Sequence, residues 1–491
     1  MDYKYIRVPK TITYSECAKN NHVFAPSKYA RFLPNNQVPF VPLSSICEES
    51  KERITYSRKK QYFYTEIGDI DISNGIINHD SLWGFELPSE NAKTCMSGDI
   101  LISTVRTYRG GIGLVYEKHE NHCCSPAILV VRKVKDHVPK EYLVAILRSD
   151  FFLEQIMGFQ TRGMYPRLDS DAIDKILIPL PKEQDVMKYI SLLFTAYMNK
   201  QRLIRRLHST ALHLIAEELA NNQKRDTFCY HMPTIKEVQE LGRIDTNMYR
   251  RYFKREIFSV LNYKGGVKNI EELGFRLSRG QNLQVSNIGK SIYSKNWHPG
   301  FYTLVLPMFL SKYGTVDKVS YLGNRNSLKT LKKGDLIFGA EGFEKGRSIV
   351  VVEDTDKTIT NIHGITLQQD EHDLSKAIFV KCFMDYLRDK GLVDLFAVGG
   401  NGGSLAQKYW PYIPFPCFPK KKQEEIVSLY HSPLKYDTSS FTLDDFIEKD
   451  NDYNSKVGIY ELDKTAKYLK EKLNKAIDDV VNDKKVMMEF S

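Results

Sequence analysis

The sequence predicts an α+β chain of two tandem mixed α/β domains, separated by two long helices that pair as an antiparallel coiled coil with pseudo-twofold symmetry. Three observations predict it. The 491 residues are too many for one core and suit two or three domains. A set of motifs recurs in the same order in both halves. Each half is followed by a helical run with a coiled-coil pattern of apolar residues.

The duplication is carried by five features. SGDILISTVRTYRGGIGLVYE (97–117) and KGDLIFGAEGFEKGRSIVVVE (333–353) both run Gly-Asp, apolar strand, Gly-rich turn, apolar strand. A further apolar run follows at 127–131 and 362–367, then a helix in EYLVAILRSDFFLEQIM (141–157) and AIFVKCFMDYLRDKGLVDLF (377–396). Next comes a polar, Gly-containing loop, GFQTRGMYPRL (158–168) or VGGNGGSLAQKYW (398–410). Each half closes on a Pro-punctuated strand and a helix start, ILIPLPKEQ and IPFPCFPKKKQ. The offset stays at about 236 to 239 residues, too long for a solenoid repeat. APSKYARF and RIDTNMYRRYF read as equivalent lead-ins to the two copies.

From 183 to 222 there is no Pro or Gly, and Val186, Ile190, Leu193, Tyr197, Ile204, Leu207, Ala211 and Leu214 alternate in steps of four and three. One polar position falls near Lys200 and Gln201. Leu462, Ala466, Leu469, Leu473, Ala476 and Val480 show the same alternation after the second copy. At 1.5 Å per residue the first helix would span roughly 60 Å. Neither stripe is wide enough for a helix to stand alone, so each is expected to pair with the other; packing back on its own domain is the alternative. The expected layout is therefore 1–181 for the first domain with its lead-in, 182–222 for the first long helix, 223–243 for a linker and 244–419 for the second domain. The second helix takes 420–491, broken by a polar inserted loop at 432–458.

Composition narrows the function. With 42% hydrophobic and 26% charged residues the chain is neither disordered nor collagen-like. No run of about eighteen apolar residues exists, so no membrane-spanning helix is expected. MDYKYIRVPK lacks the apolar core of a secretory signal, which points to the cytoplasm. The net charge of +10 suits a polyanionic partner.

Enzyme signatures are missing. VGGNGGS (398–404) lacks the Lys-Ser or Lys-Thr that closes a P-loop, and reads as a flexible loop. There is no Asn/Asp-Pro-Pro-aromatic tetrapeptide, HExxH or GxSxG. His119, His122, Cys123 and Cys124 form the nearest approach to a metal set, but adjacent cysteines rarely both reach one tetrahedral ion, so no metal is expected. Asp335, Glu341, Glu344 and Lys345 match no nuclease spacing. The chain reads as a binder with no catalytic residue and no cofactor of its own.

Two domains that open on Gly-Asp-Ile/Leu strands, close on a Pro-x-x-x-Gln helix start and alternate with long helices resemble the specificity subunit of type I restriction–modification systems. The resemblance covers the chain from about Val38 onward. Two departures are the 432–458 insertion and the acidic GDLIFGAEG where the first copy has STVRTYRGG. The resemblance implies a non-catalytic, cytoplasmic phage-defence component with two target-recognition domains, each reading one half of a bipartite, asymmetric duplex DNA site. The helices would set the unread gap and dock two adenine-N6 methyltransferase subunits. Those would carry S-adenosylmethionine, and restriction/translocase subunits would use ATP and Mg.

Base reading needs polar side chains on rigid loops, with Arg or Lys to guanine and Asn or Gln to adenine. In the first copy Arg106, Tyr108 and Arg109 occupy the turn, and Gln160, Arg162, Tyr165 and Arg167 the later loop. In the second copy Lys345 and Arg347, then Asn401, Ser404, Gln407 and Lys408, hold the matching places. Some would meet phosphates, which position the protein and carry no sequence information. Asp99 and Asp335 are expected to fix the strand starts through backbone hydrogen bonds. Other readings are a target-recognition subunit of a different DNA-defence or methylation system, an enzyme acting alone on nucleic acid, and a coiled-coil scaffold without DNA readout.

Overall fold

The structure, a computed structural model, describes residues 3–19, 22–24, 26–33, 38–157, 166–168, 172–342, 345–354, 357–399 and 403–490. The chain is α+β and divides into two units. One consists of Met1–Arg202, Lys435–Ser455 and Lys464–Ser491, the other of Leu203–Leu434 and Lys456–Asp463. No helix among the described residues is long and apolar enough to cross a membrane.

In the first unit the Gly-Asp motif begins the central sheet. Gly98 takes φ +88°, a conformation that a Cβ disfavours, and Asp99 accepts from the Met96 backbone N–H at 2.9 Å. The strand Ile100–Ser103 then pairs antiparallel with Ile112–Leu114 on one side and with Ile128–Arg132 on the other. Glu48–Ser50 completes the four strands. Ile100 to Ile102 are buried on both faces, which explains an unbroken apolar run rather than an alternating one. A second sheet runs Asp80–Trp83, Gln61–Thr65, His122–Cys124 and Lys93–Thr94, with one parallel pairing that sets His122 opposite Phe63. The helices Lys140–Leu147 and Asp150–Ile156 bury Tyr142 to Leu147 and Phe151, Phe152 and Ile156.

The second unit is built to the same plan. Gly334 takes φ +86°, and Asp335 accepts from the Lys332 N–H at 2.9 Å. Its central sheet runs Phe275–Arg279, Gly364–Gln369, Leu336–Gly339 and Ser348–Val350. The other sheet again contains one parallel pair, Thr303 opposite Thr358. Finer details repeat as well. Isolated bridges close equivalent loops at Ile70↔Ile77 and Leu310↔Val316. Arg148 donates to the Ile72 carbonyl and Arg388 to that of Lys312. The two lead-ins each form a 3-10 turn, Pro26–Tyr29 and Thr246–Tyr249, whose tyrosine hydroxyl donates to the carbonyl six residues back. The closing strands Leu177–Pro179 and Phe415–Pro416 pair with Phe40–Pro42 and Val267–Lys268.

The long helices depart from a narrow seam. The first is Gln184–Asn221. Val186, Ile190, Leu193 and Tyr197 are buried as expected, but so are Met187, Tyr189, Phe194, Ala196 and Met198. All of them join one cluster with the first unit's own core and with Ala466, Leu469, Leu473, Ala476 and Val480. This half is a core helix buried on several sides, and the expected stripe is only one of its faces. Further along, Ile204 and Ala211 are buried, whereas Leu207 and Leu214 are half-buried and His208 and Ile215 take the interior positions. The 3.6-residue turn drifts off a strict seven-residue repeat, which moves the interior face by one position along the helix.

The later helical region forms Lys420–Tyr430, Phe446–Asn454 and Ile459–Val481. Leu462 is fully buried. The 432–458 insertion is not a plain polar loop. Its helix Phe446–Asn454 buries Phe446, Tyr453, Asp450 and Asn454. Asp450 faces Lys200 at 2.7 Å with both side chains fully buried, so the polar position of the first helix is one half of an ion pair.

Candidate nucleic-acid interface

In both copies, the Gly-rich turn and the later polar loop are joined by the same backbone pairing. In the first, Val105 bridges Arg167, and the Leu168 N–H donates to the Thr104 carbonyl at 2.8 Å. In the second, Glu341 bridges Ser404, and the Leu405 N–H donates to the Ala340 carbonyl at 2.7 Å. Two segments sixty residues apart in sequence therefore share one edge in each unit, directly beyond the buried strands Ile100–Ser103 and Leu336–Gly339.

The tips differ between copies. Arg106 sits at φ +51°, donates its backbone N–H to the Pro166 carbonyl at 2.8 Å and starts the 3-10 turn Thr107–Arg109. That turn presents Tyr108 and Arg109 to solvent, and Arg167 is exposed beside it. Thr107 points inward and donates to the Ser103 carbonyl at 2.6 Å, which fixes the turn to the strand end. In the second copy, Lys408 is exposed above the Tyr409 ring at 4.9 Å, and Ser404 and Gln407 are half-buried. Lys345 and Arg347 are used internally. Lys345 pairs with Asp394 at 2.8 Å, and Arg347 donates to the Leu310 carbonyl at 3.1 Å. The acidic tip residue Glu341 takes His363 Nδ1 at 2.6 Å and lies 3.8 Å from Arg279. Gln160, Arg162, Tyr165, Asn401 and Glu344 lie outside the described residues.

Asp99 and Asp335 hold backbone amides, as their turn position implies, but Asp99 does more. Arg132 reaches it through Nε at 2.9 Å and Nη2 at 2.8 Å, a two-pronged pair with the carboxylate almost fully buried. Among the described residues Asp335 has amide partners alone, from Lys332, Gln369 and the Gln368 side chain. Burial pushes its carboxyl above the ordinary aspartate value, against the pull of those hydrogen bonds.

A different set of titratable groups comes together in the first unit. The Glu117 carboxylate lies 3.1 Å from His119 Nε2 and 3.7 Å from His79 Nδ1. These three ligand atoms all lie within 4.8 Å of one another. Phe63 stacks on His119 with centroids 4.3 Å apart, and meets His79 edge-on at 5.3 Å. The buried His122 ring lies 5.7 Å from both imidazoles. Burial, then repulsion from His79 and His119, pushes His122 down to about 4. The cysteines do not join. Cys123 packs with Tyr62, Tyr64 and Ala92, whereas Cys124 packs with Ile70, Cys95 and Leu101, because adjacent strand residues face opposite ways. Sequence spacing offered Glu117 two residues before His119, but His79 comes from a distant loop and left no local signal.

No family model matches the sequence, and neither does any curated protein. Among solved structures the chain is similar to three that are described as parts of type I restriction–modification systems. One comes from work on the structural basis of complex assembly and conformational transition of the type I R-M system. It is 18% identical, with 92% of this chain and 99% of that chain covered and a TM-score of 0.33. The HsdS subunit from Thermoanaerobacter tengcongensis is 19% identical over 90% of this chain and 96% of that chain, with a TM-score of 0.32. The type I restriction–modification S subunit from M. genitalium is 12% identical over 91% and 96%, with a TM-score of 0.40.

Proposed function

We propose that the chain is the DNA-specificity subunit of a type I restriction–modification complex, a cytoplasmic, non-catalytic component of phage defence. Each unit reads one half of a bipartite duplex site through its joined turn and loop. The carrying observation is the pairing of Val105 with Arg167 and of Glu341 with Ser404, the same scaffold twice with different tips. A protein that reads two unlike half-sites needs a conserved support and divergent side chains. Arg106, Tyr108, Arg109 and Arg167 in one copy, against Ser404, Gln407 and Lys408 in the other, have that character. Arginine favours guanine and glutamine adenine, so the two tips would prefer different bases.

In this reading the long helices run antiparallel and set the unread gap, and they dock two methyltransferase subunits. Those partners bring S-adenosylmethionine, and the restriction/translocase subunits use ATP and Mg. The first test is selection of randomised duplex DNA by the purified chain at low salt, alone and with co-purified partners. Two short motifs at a constant gap support the reading. No enrichment in either preparation refutes it and favours a scaffold without DNA readout. Deleting seven residues from the helix Gln184–Asn221 shortens it by roughly 10 Å, about three base-pair steps. The gap should change while both motifs persist.

A further inference from the structure

The cluster of His79, Glu117 and His119 is unused by DNA reading, and its geometry points to a metal site. We propose that these three side chains bind one divalent transition-metal ion, with zinc the best chemical match, and leave a fourth position open.

The donor set comes first. Two imidazoles and one carboxylate suit zinc and its neighbours, whereas calcium and magnesium prefer all-oxygen shells. Spacing comes second. A tetrahedral zinc about 2.0–2.1 Å from its nitrogen and oxygen ligands keeps those donors roughly 3.3 Å apart. The observed separations of 3.1 and 3.7 Å from the Glu117 carboxylate bracket that figure, and all three donor atoms lie within 4.8 Å of one another. Support comes third, because Phe63 packs against both imidazole rings and limits their rotation.

An independent observation concerns His122. The Thr65 hydroxyl donates to the Asn78 carbonyl at 3.1 Å, so its oxygen is left to accept from His122 Nε2–H at 3.2 Å. That fixes the tautomer and leaves a lone pair on Nδ1. Among the described residues this buried Nδ1 has no hydrogen-bond partner. A buried acceptor without a donor is costly, and a ligand that brings a donor would relieve it. His122 lines the same pocket as His79 and Glu117, a space of about 340 Å³ including its mouth. A water or small protonated ligand on the open metal position would supply the missing donor.

The second unit makes the cluster specific. Counted along the sequence from the equivalent bridge and strand pair, its matching positions are Lys318, Glu353, Thr355 and Thr358. The glutamate recurs, but each histidine is replaced by a residue that does not bind zinc.

The test uses the full chain, stripped with a chelator, in a Cys229→Ser background that removes the exposed thiol. Zinc chloride is titrated calorimetrically, and thermal unfolding is followed with and without zinc. A single equivalent is expected to bind and to raise Tm. His79→Ala and His119→Ala should each weaken binding by about a hundredfold and abolish the Tm rise. Their metal-free Tm values, compared with the parent, establish that the variants are folded. Cobalt(II) should give the intense visible absorption of a tetrahedral site in the parent alone. No uptake by the parent at micromolar zinc would overturn the proposal, as would equal uptake by a folded His79→Ala/His119→Ala double variant.

Discussion

Replacing Lys200 by methionine tests whether a buried charge pair holds the 432–458 insertion onto the first long helix. Lys200 and Asp450 are both fully buried, and their charged atoms lie 2.7 Å apart. The ammonium also donates to Asn454 Oδ1 at 2.5 Å and lies 4.7 and 5.0 Å from the Tyr436 and Tyr453 ring centroids. Asp450 accepts further bonds from the Tyr436 hydroxyl and the Asn454 amide. Methionine keeps the length and apolar stem of lysine but leaves Asp450 buried with no cation. Removing one partner of a buried pair costs about 3–5 kcal/mol. That is an increase of about two to nearly four orders of magnitude in the opening constant of the helix Phe446–Asn454. Hydrogen exchange over that helix and the urea midpoint of the first unit measure it. Lys200→Met/Asp450→Asn should cost far less than the sum of the single changes, with a coupling above about 2 kcal/mol. A cost below about 1 kcal/mol for Lys200→Met, or strict additivity in the cycle, would refute the argument.

Three further outcomes are expected. Burial raises the Glu461 carboxyl, but the His431 and Ser432 hydrogen bonds outweigh it and hold it below the ordinary glutamate value. Its contribution is therefore full above about pH 4.3 and is lost as pH falls through the folded value, so the urea-midpoint gap between the parent and Glu461→Gln should shrink on acidification. Asp99→Asn should cost about 2–4 kcal/mol, because Arg132 loses its buried partner, and Asp335→Asn only about 1 kcal/mol; equal losses in thermal melts would contradict that contrast. Arg109→Ala and Arg167→Ala should each weaken DNA binding and lower the salt slope by about one, whereas Lys345→Ala should change stability and leave the slope alone.

The duplication was legible because its features are local. Gly-Asp before an apolar run needs a left-handed glycine and a carboxylate aimed at a backbone amide, and both copies have them at Gly98–Asp99 and Gly334–Asp335. The long helix was legible for the same reason, from a Pro- and Gly-free stretch with helical spacing. The later helix was legible as its partner, since Ala466, Leu469 and Leu473 share its cluster, but its burial against the first unit's own core was not. Tyr189 and Phe194 lie off the expected stripe, and only tertiary packing with residues such as Phe490 shows that they are interior. The insertion misled because Lys, Asp and Asn count as polar in any composition. Asp450 and Asn454 are nonetheless buried, since a cation from a segment 250 residues away satisfies them. Of the candidate tip residues, sequence could not separate the exposed from the internally paired. Arg109, Arg167 and Lys408 are on the surface, whereas Lys345 and Arg347 serve their own fold.

The two copies diverge in a consistent way. Strand registers, loop bridges and the arginines that tie loops to helices are kept. Change is concentrated where a side chain meets solvent or a pocket. The first copy has arginines at its tip, and the second has Glu341 at the position of Val105. The first has Phe63 and His122 facing across a parallel pair, and the second has Thr303 and Thr358. A symmetric reader would gain nothing from such differences. A chain that distinguishes one half-site from the other requires them, and so does a chain that keeps a metal on one side only. Grafting the first copy's turn residues 105–109 onto the second scaffold is thus a sharper probe than any single substitution, because the shared bridge supports either tip.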